Sequence, residues 1–278
     1  MKLSRFLLYV LLTSWLNLAF ASTTTAPSDY KPMVGQEGKD VIWVPTPEGL
    51  IDKMLEAAKV NGKDTLFDLG AGDGIIAITA TRKYGAKSVG IEYNPDMAQF
   101  ARRKVAEAGL ADKVKIITGD IFQEDFSSAS VVTLYLMPHL NIKLRPILLK
   151  MKPGTRVVSN TFSMGEWEPD ETILDQHWRA HFWVVPAQIE GAWVMKGVDG
   201  GPLRLNISQS YQNIGGTLTR GGQTFNLLGA KLRGDEVKFQ FTTPDRKVHA
   251  FSGRLEGGRL TGTVVADFSS TSVEMTRP

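Results

Sequence analysis

Hydrophobic and polar positions change period several times along this chain. After Pro45-Thr46-Pro47-Glu48, apolar residues fall at Leu50, Ile51, Met54, Leu55 and Ala58, the spacing of one helical face. That pattern predicts a helix to about Lys59, with Thr46 as its N-cap and Pro47 in its first position. Short continuous apolar runs then alternate with helical patterns. Strands are predicted at Thr65–Leu69, Ser88–Glu92, Val114–Thr118, Val131–Leu136 and Thr155–Thr161, and helices at Ile75–Lys83, Pro95–Ala108 and Asn141–Leu149. This rhythm predicts an α/β fold, a doubly wound, mostly parallel sheet with helices on both faces. Two later runs, Ala180–Val185 and Ala192–Met195, read as antiparallel strands closing that sheet.

Beyond Gly197 the chain becomes glycine-rich, with short alternating runs at Leu203–Ser208, Thr224–Leu228, Val237–Phe241 and Val248–Phe251. Gly229-Ala230-Lys231-Leu232-Arg233-Gly234 is echoed by Gly253-Arg254-Leu255-Glu256-Gly257-Gly258. We read residues 197–278 as a small antiparallel β-domain, with turns at Gly215-Gly216, Gly221-Gly222, Gly234-Asp235 and Gly257-Gly258. At the other end, Lys2 and Arg5 precede an apolar stretch from Phe6 to Phe20, and Ala19-Phe20-Ala21 has the small-x-small form of a cleavage site. Residues 1–21 therefore read as an export signal, residues 22–39 as a polar linker and residues 40–196 as the α/β domain. An export signal makes the protein periplasmic or secreted, or membrane-anchored where the signal stays uncleaved.

Composition narrows the chemistry. The 278 residues include no cysteine, which excludes disulfides, thiolate catalysis and cysteine zinc sites. The four histidines (His139, His177, His181, His249) form no HExxH arrangement, and no metal site is predicted. The formal charge of +3 falls to +1 without Lys2 and Arg5, and there is no clustered basic run, so no nucleic-acid partner is expected.

The chemical signal lies in Asp68-Leu69-Gly70-Ala71-Gly72-Asp73-Gly74, between an apolar strand and a helix. Its glycines allow close backbone approach to a ligand, and the helix start offers free N–H groups to an anionic group. Glu92 ends the next strand, where a carboxylate can accept both ribose hydroxyls of a nucleoside. Gly119-Asp120-Ile121-Phe122 follows the third strand, where Asp120 can accept from an adenine amine while Ile121 or Phe122 covers the ring. A dinucleotide loop is the competing reading, but Ile75 stands where its third glycine belongs. In a purely structural reading the glycines form a turn and Asp120 caps a helix.

Over residues 40–195 the pattern resembles the class I S-adenosylmethionine-dependent methyltransferases, whose fold is a Rossmann-like doubly wound sheet. The resemblance implies S-adenosylmethionine as cofactor. It places the methionine moiety on the Asp68, Gly70, Ala71, Gly72, Asp73 and Gly74 loop. Glu92 and Asn94 then hold the ribose, Asp120 and Ile121 the adenine, and Thr46 is a further cofactor-binding residue. Val44-Pro45-Thr46-Pro47, Gly90-Ile91-Glu92-Tyr93-Asn94-Pro95, Val131–Pro138 and Leu149–Ser159 resemble in particular the small protein-lysine methyltransferases related to the mitochondrial ATP-synthase c-subunit enzymes. A protein lysine is the acceptor this implies, with a small molecule as the alternative.

Bringing a lysine of pKa near 10.4 to its free amine at pH 7 costs about 4.6 kcal/mol, and apolar surroundings lower that cost. The segment after the fourth strand is expected to line the acceptor side. There Tyr135 can pack on the amine or accept from it, and His139 can take a proton. Trp167, Trp178, Trp183 and Trp193 read as packing residues. Export sits uneasily with a cofactor made inside the cell. The rival reading is therefore an exported nucleoside- or protein-binding module on a repurposed methyltransferase fold. The β-domain is a candidate surface for an envelope partner.

Overall fold

A computed structural model describes residues 30–198, 201–243, 246–267 and 269–278; the export signal read at 1–21 and residues 22–29 of the linker lie outside them. Five parallel strands form the first sheet's spine: β1 (Thr65–Leu69), β2 (Lys87–Glu92), β3 (Val114–Thr118), β4 (Val131–Leu134) and β5 (Arg156–Asn160). Two antiparallel strands, β6 (Glu171–Asp175) and β7 (Trp178–Val184), complete the order β3-β2-β1-β4-β5-β7-β6. Helices α1 (Glu48–Ala57), α2 (Ile75–Tyr84) and α3 (Pro95–Glu107) share one face of this sheet, and α4 (Pro138–Leu148) packs on the other. Each face carries its own buried apolar layer. Leu50, Ile51, Met54 and Leu55 meet Leu66, Val131 and Val158 on one side. Leu140, Leu144 and Leu148 meet Leu69, Val132 and Leu134 on the other. The order reverses between β1 and β4, which opens a crevice at the carboxyl ends of these strands.

Local chemistry sets the helix starts. Asn94 accepts from the Asp96 and Met97 amides, with Pro95 in the first turn of α3. Helix α2 runs between Gly74 and Gly85, both left-handed at φ 79° and 75°. Two starts differ from expectation. Pro47, not Thr46, occupies the cap of α1, because the Thr46 hydroxyl accepts from Asn160 Nδ2 at 3.2 Å instead. Helix α4 begins at Pro138, three residues early, since β4 already ends at Leu134.

The second sheet is an all-antiparallel meander of nine strands. They are β8 (Gly191–Lys196), β9 (Leu203–Ser210), β10 (Asn213–Arg220), β11 (Gln223–Asn226), β12 (Leu228–Arg233), β13 (Glu236–Thr242), β14 (Val248–Glu256), β15 (Arg259–Ala266) and β16 (Ser269–Thr276). Strand β16 pairs back onto β8, leaving β11 and β12 as the two edges of a nearly closed barrel. Leu227 links those two edge strands directly, and its amide extends the β10/β11 ladder by donating to Gly216 O at 2.9 Å. Inward positions alternate along each strand. They fill the interior with side chains such as Trp193, Leu205, Leu218, Phe239, Phe251 and Met275; the Phe239 and Phe251 rings lie 4.8 Å apart.

Two strand and turn readings are corrected here. Ala192–Met195 does not close the first sheet but opens the second, as β8. Gly215-Gly216 is not a turn: both glycines pair with β9, and a Cβ on Gly216 would stand 2.1 Å from Asn206 O. The glycine there serves strand approach in a curved sheet. The turn falls instead at Tyr211-Gln212, with Tyr211 left-handed at φ 55°. The barrel docks on the first sheet's loops through Ala187 N to Gly234 O (2.7 Å) and Gln212 Nε2 to Glu168 O (2.7 Å). Among the described residues no helix is long and apolar enough to cross a membrane.

Candidate cofactor and acceptor site

The crevice at the β1/β4 switch holds a cavity of about 230 Å³. Its wall includes Thr46, Asp68, Gly70, Ala71, Gly72, Asp73, Glu92, Asn94, Asp120, Ile121 and Tyr135, residues that the chain order scatters over 90 positions. Gly74 and His139 do not line it. Gly74 is the left-handed cap of α2, where a Cβ would press on Ala101 of α3 at 3.4 Å. His139 is exposed in the first turn of α4, so the early start of that helix turns it away from the cavity wall.

The glycine loop is folded by its own backbone. Gly70 N and Ala71 N both donate to Ile91 O at 2.9 Å, tying the loop to β2. Gly72, at φ 54°, donates to Glu92 Oε2 at 2.8 Å, and a Cβ on it would come within 2.6 Å of Trp43 Nε1. A Cβ on Gly70 would meet Leu136 at 2.9 Å. Glycine is needed at both positions because Trp43 and Leu136 pack directly against the loop's backbone beside the cavity.

The acids around it differ in state. Asp68, at the end of β1, is 2 % exposed, and burial pushes its carboxyl up to about 7. A 2.8 Å hydrogen bond from Thr133 Oγ1 opposes that rise, while nearby Asp73 and Glu92 add to it. Burial also raises Glu92, against amide hydrogen bonds from Asn94 and Gly72. Asp73 is paired with Lys104 at 2.6 Å. Asp120 is held below the usual carboxylate range by Lys39 at 2.8 Å and by the Phe122 amide at 2.9 Å.

At the opposite end, Tyr135 stacks on Phe162 with ring centroids 6.2 Å apart, beside Leu136, Met137 and Leu140. Nothing in the sequence pattern singles out Phe162. It follows Thr161, which is left-handed at φ 63°, in a loop whose Phe162 and Ser163 carbonyls accept from Asn141 Nδ2. Residues 36–46 also line the cavity, although residues up to 39 read as a linker. The apolar run Val41-Ile42-Trp43-Val44 is the sequence signal that they pack.

An ANTKMT methyltransferase domain model matches residues 68–171, from the buried acid of β1 to the start of β6. A protein-lysine N-methyltransferase of Saccharolobus islandicus is 43% identical over 135 residues, which are 48% of this chain and 84% of that protein. The chain belongs to the S-adenosylmethionine-dependent methyltransferases. The ATP-synthase c-subunit lysine N-methyltransferase of Mus musculus is 29% identical, over 49% of this chain and 56% of its own length. A crystal structure described as an RNA methyltransferase from Salinibacter ruber, in complex with S-adenosyl-L-homocysteine, is 50% identical. It covers 52% of this chain and 96% of its own, with a TM-score of 0.52.

The methyltransferase uses S-adenosylmethionine, a sulfonium that supplies an electrophilic methyl group. Its cavity fits that cofactor: bare glycine backbone, a carboxylate at each expected position and an excess of buried acid suited to a cation. Asp68 and the loop would hold the charged amino-acid end. Glu92, with both oxygens already oriented by amides, would accept ribose hydroxyls, and Asp120 with Ile121 would take the adenine. Catalysis then requires mainly that the acceptor be held in line and kept from water.

Proposed function

We propose that this methyltransferase N-methylates a lysine of a protein substrate and that it works after export. The observation that carries the acceptor assignment is the aromatic, apolar end of the cavity, where Tyr135 and Phe162 stand beside Leu136 and Leu140. Such a wall passes an aliphatic side chain and favours the neutral amine over the ammonium. The 43% identity to a protein-lysine N-methyltransferase supports the same reading. Tyr135 packs against the acceptor and orients it; His139, on the exposed start of α4, takes no part. Export rests on the signal pattern of residues 1–21, and an envelope protein is the substrate that location supplies.

RNA is the second reading, supported by the 50% identity to the Salinibacter structure described as an RNA methyltransferase. One experiment separates them. The mature protein, from Ser22 onward, is incubated with methyl-labelled cofactor and a cell extract, and the label is followed through protease and ribonuclease digestion. Label recovered as methyl-lysine supports the proposal; label lost to ribonuclease overturns it in favour of RNA. The N-terminal residue of the protein isolated from its native cell, by mass spectrometry, tests export: a start at Met1 or Lys2 in a cytoplasmic fraction would refute it.

A further inference from the structure

Residues 35–43 form a small hairpin. Gly35 N donates to Trp43 O and Trp43 N to Gln36 O, both at 2.9 Å, and the turn is closed by Gly38 N to Val41 O at 2.8 Å. The hairpin crosses the cavity and touches three of its walls. Trp43 lies against Gly72 of the glycine loop. Lys39 Nζ sits 4.6 Å from the centre of the Tyr93 ring, directly after Glu92. The same ammonium is 2.8 Å from Asp120 Oδ2. Behind the hairpin, Thr46 is tied to Asn160 at the end of β5.

We propose that this hairpin is a strap over the adenosine end of the cofactor site and that Lys39 is its latch, a cofactor-positioning residue that slows release of the bound nucleoside. The proposal rests on the cofactor-site reading above. A carboxylate has about four acceptor positions. Asp120 gives one to Lys39 and one to the Phe122 amide, so two remain for an adenine amine. Latch and nucleoside therefore bind one carboxylate together, and the strap is closed while the site is occupied. Release requires the ion pair and the contact over Tyr93 to break. The pair is partly exposed, with side-chain exposures of 39% and 15%, so the latch is weak and sensitive to salt.

The test is the dissociation rate of S-adenosylhomocysteine from the mature full-length protein, measured by stopped-flow displacement. Lys39→Met keeps the length and removes the charge; Lys39→Arg restores it. The expected result is a rate about three- to tenfold faster for Lys39→Met and near wild type for Lys39→Arg. The wild-type rate is also expected to rise between about 0.05 and about 0.5 M salt, and that of Lys39→Met to stay flat. Equal rates and equal salt dependence in wild type and Lys39→Met would overturn the latch while leaving the cofactor site intact. A folded wild type that binds no S-adenosylhomocysteine would overturn the site reading and the latch together.

Discussion

Replacing Asp68 by asparagine is expected to flatten the pH dependence of folding stability in the cofactor-free protein. The Asp68 carboxyl is fully enclosed at the end of β1, with one hydrogen bond from Thr133, and burial lifts it from 3.8 to about 7. At about 1.36 kcal/mol per unit, keeping this group ionised in the folded state costs about 4 kcal/mol. The sign follows from linkage. A folded carboxyl that binds its proton more tightly than the unfolded one contributes stability that is complete below about pH 4. That contribution is lost as the pH rises through about 7. Between pH 5 and pH 8 the wild type should lose about 3 kcal/mol from this group alone. Asparagine keeps an acceptor for Thr133 and does not titrate. Its amide N–H₂ needs a new partner, which costs about 1–3 kcal/mol at every pH and so does not affect the slope. The assay is urea unfolding of both proteins from pH 5 to pH 8. Parallel stability curves would refute the reasoning, because they would mean that Asp68 is not held protonated by its surroundings. The same variant should bind S-adenosylmethionine at least about tenfold more weakly at pH 8, since the carboxylate that is ionised at that pH and faces the cation is gone.

Further substitutions probe other parts of the site and fold. Gly72→Ala combines a left-handed φ with a Cβ 2.6 Å from Trp43 Nε1, so it should destabilise by about 1–2 kcal/mol and weaken S-adenosylhomocysteine binding in calorimetry. Asn141→Ala removes the donor shared by Ser159 Oγ, Phe162 O and Ser163 O; it should cost about 2–3 kcal/mol in denaturant and raise the acceptor KM, with cofactor affinity unchanged. Trp193→Ala, in the filled barrel interior with its indole donating to Ile189 O, should cost about 3–5 kcal/mol, read as a shift in the denaturation midpoint.

The α/β half is legible in the sequence because its strands are buried on both faces and its helices on one. Leu66-Phe67-Asp68-Leu69 and the Leu50–Ala58 stripe therefore carry unambiguous periods. The acids of the site are legible for a related reason: each stands at the carboxyl end of a strand, where chain order alone fixes its place. The barrel is harder to read. Glycine pairs mark turns when they lie between strands, as Gly221-Gly222 does. Gly215-Gly216 is the same pair used for close strand approach, and nothing local distinguishes the two. Strand β6, Glu-Thr-Ile-Leu-Asp, is an edge strand with a single buried side chain, Ile173, too little to leave a pattern. The strap and Phe162 escape a sequence reading because their roles depend on distant partners. Lys39 acquires its meaning from Asp120, 81 positions away, and Phe162 from Tyr135 and Asn141.

The central claim is that one cavity binds S-adenosylmethionine through the acids at the strand ends. Calorimetric titration of the protein from Ser22 onward with S-adenosylhomocysteine, beside Glu92→Ala, tests it most directly. The account expects one site per chain and an affinity at least about tenfold lower in a folded Glu92→Ala. Equal affinity in the two proteins, or no binding by the wild type, would contradict it.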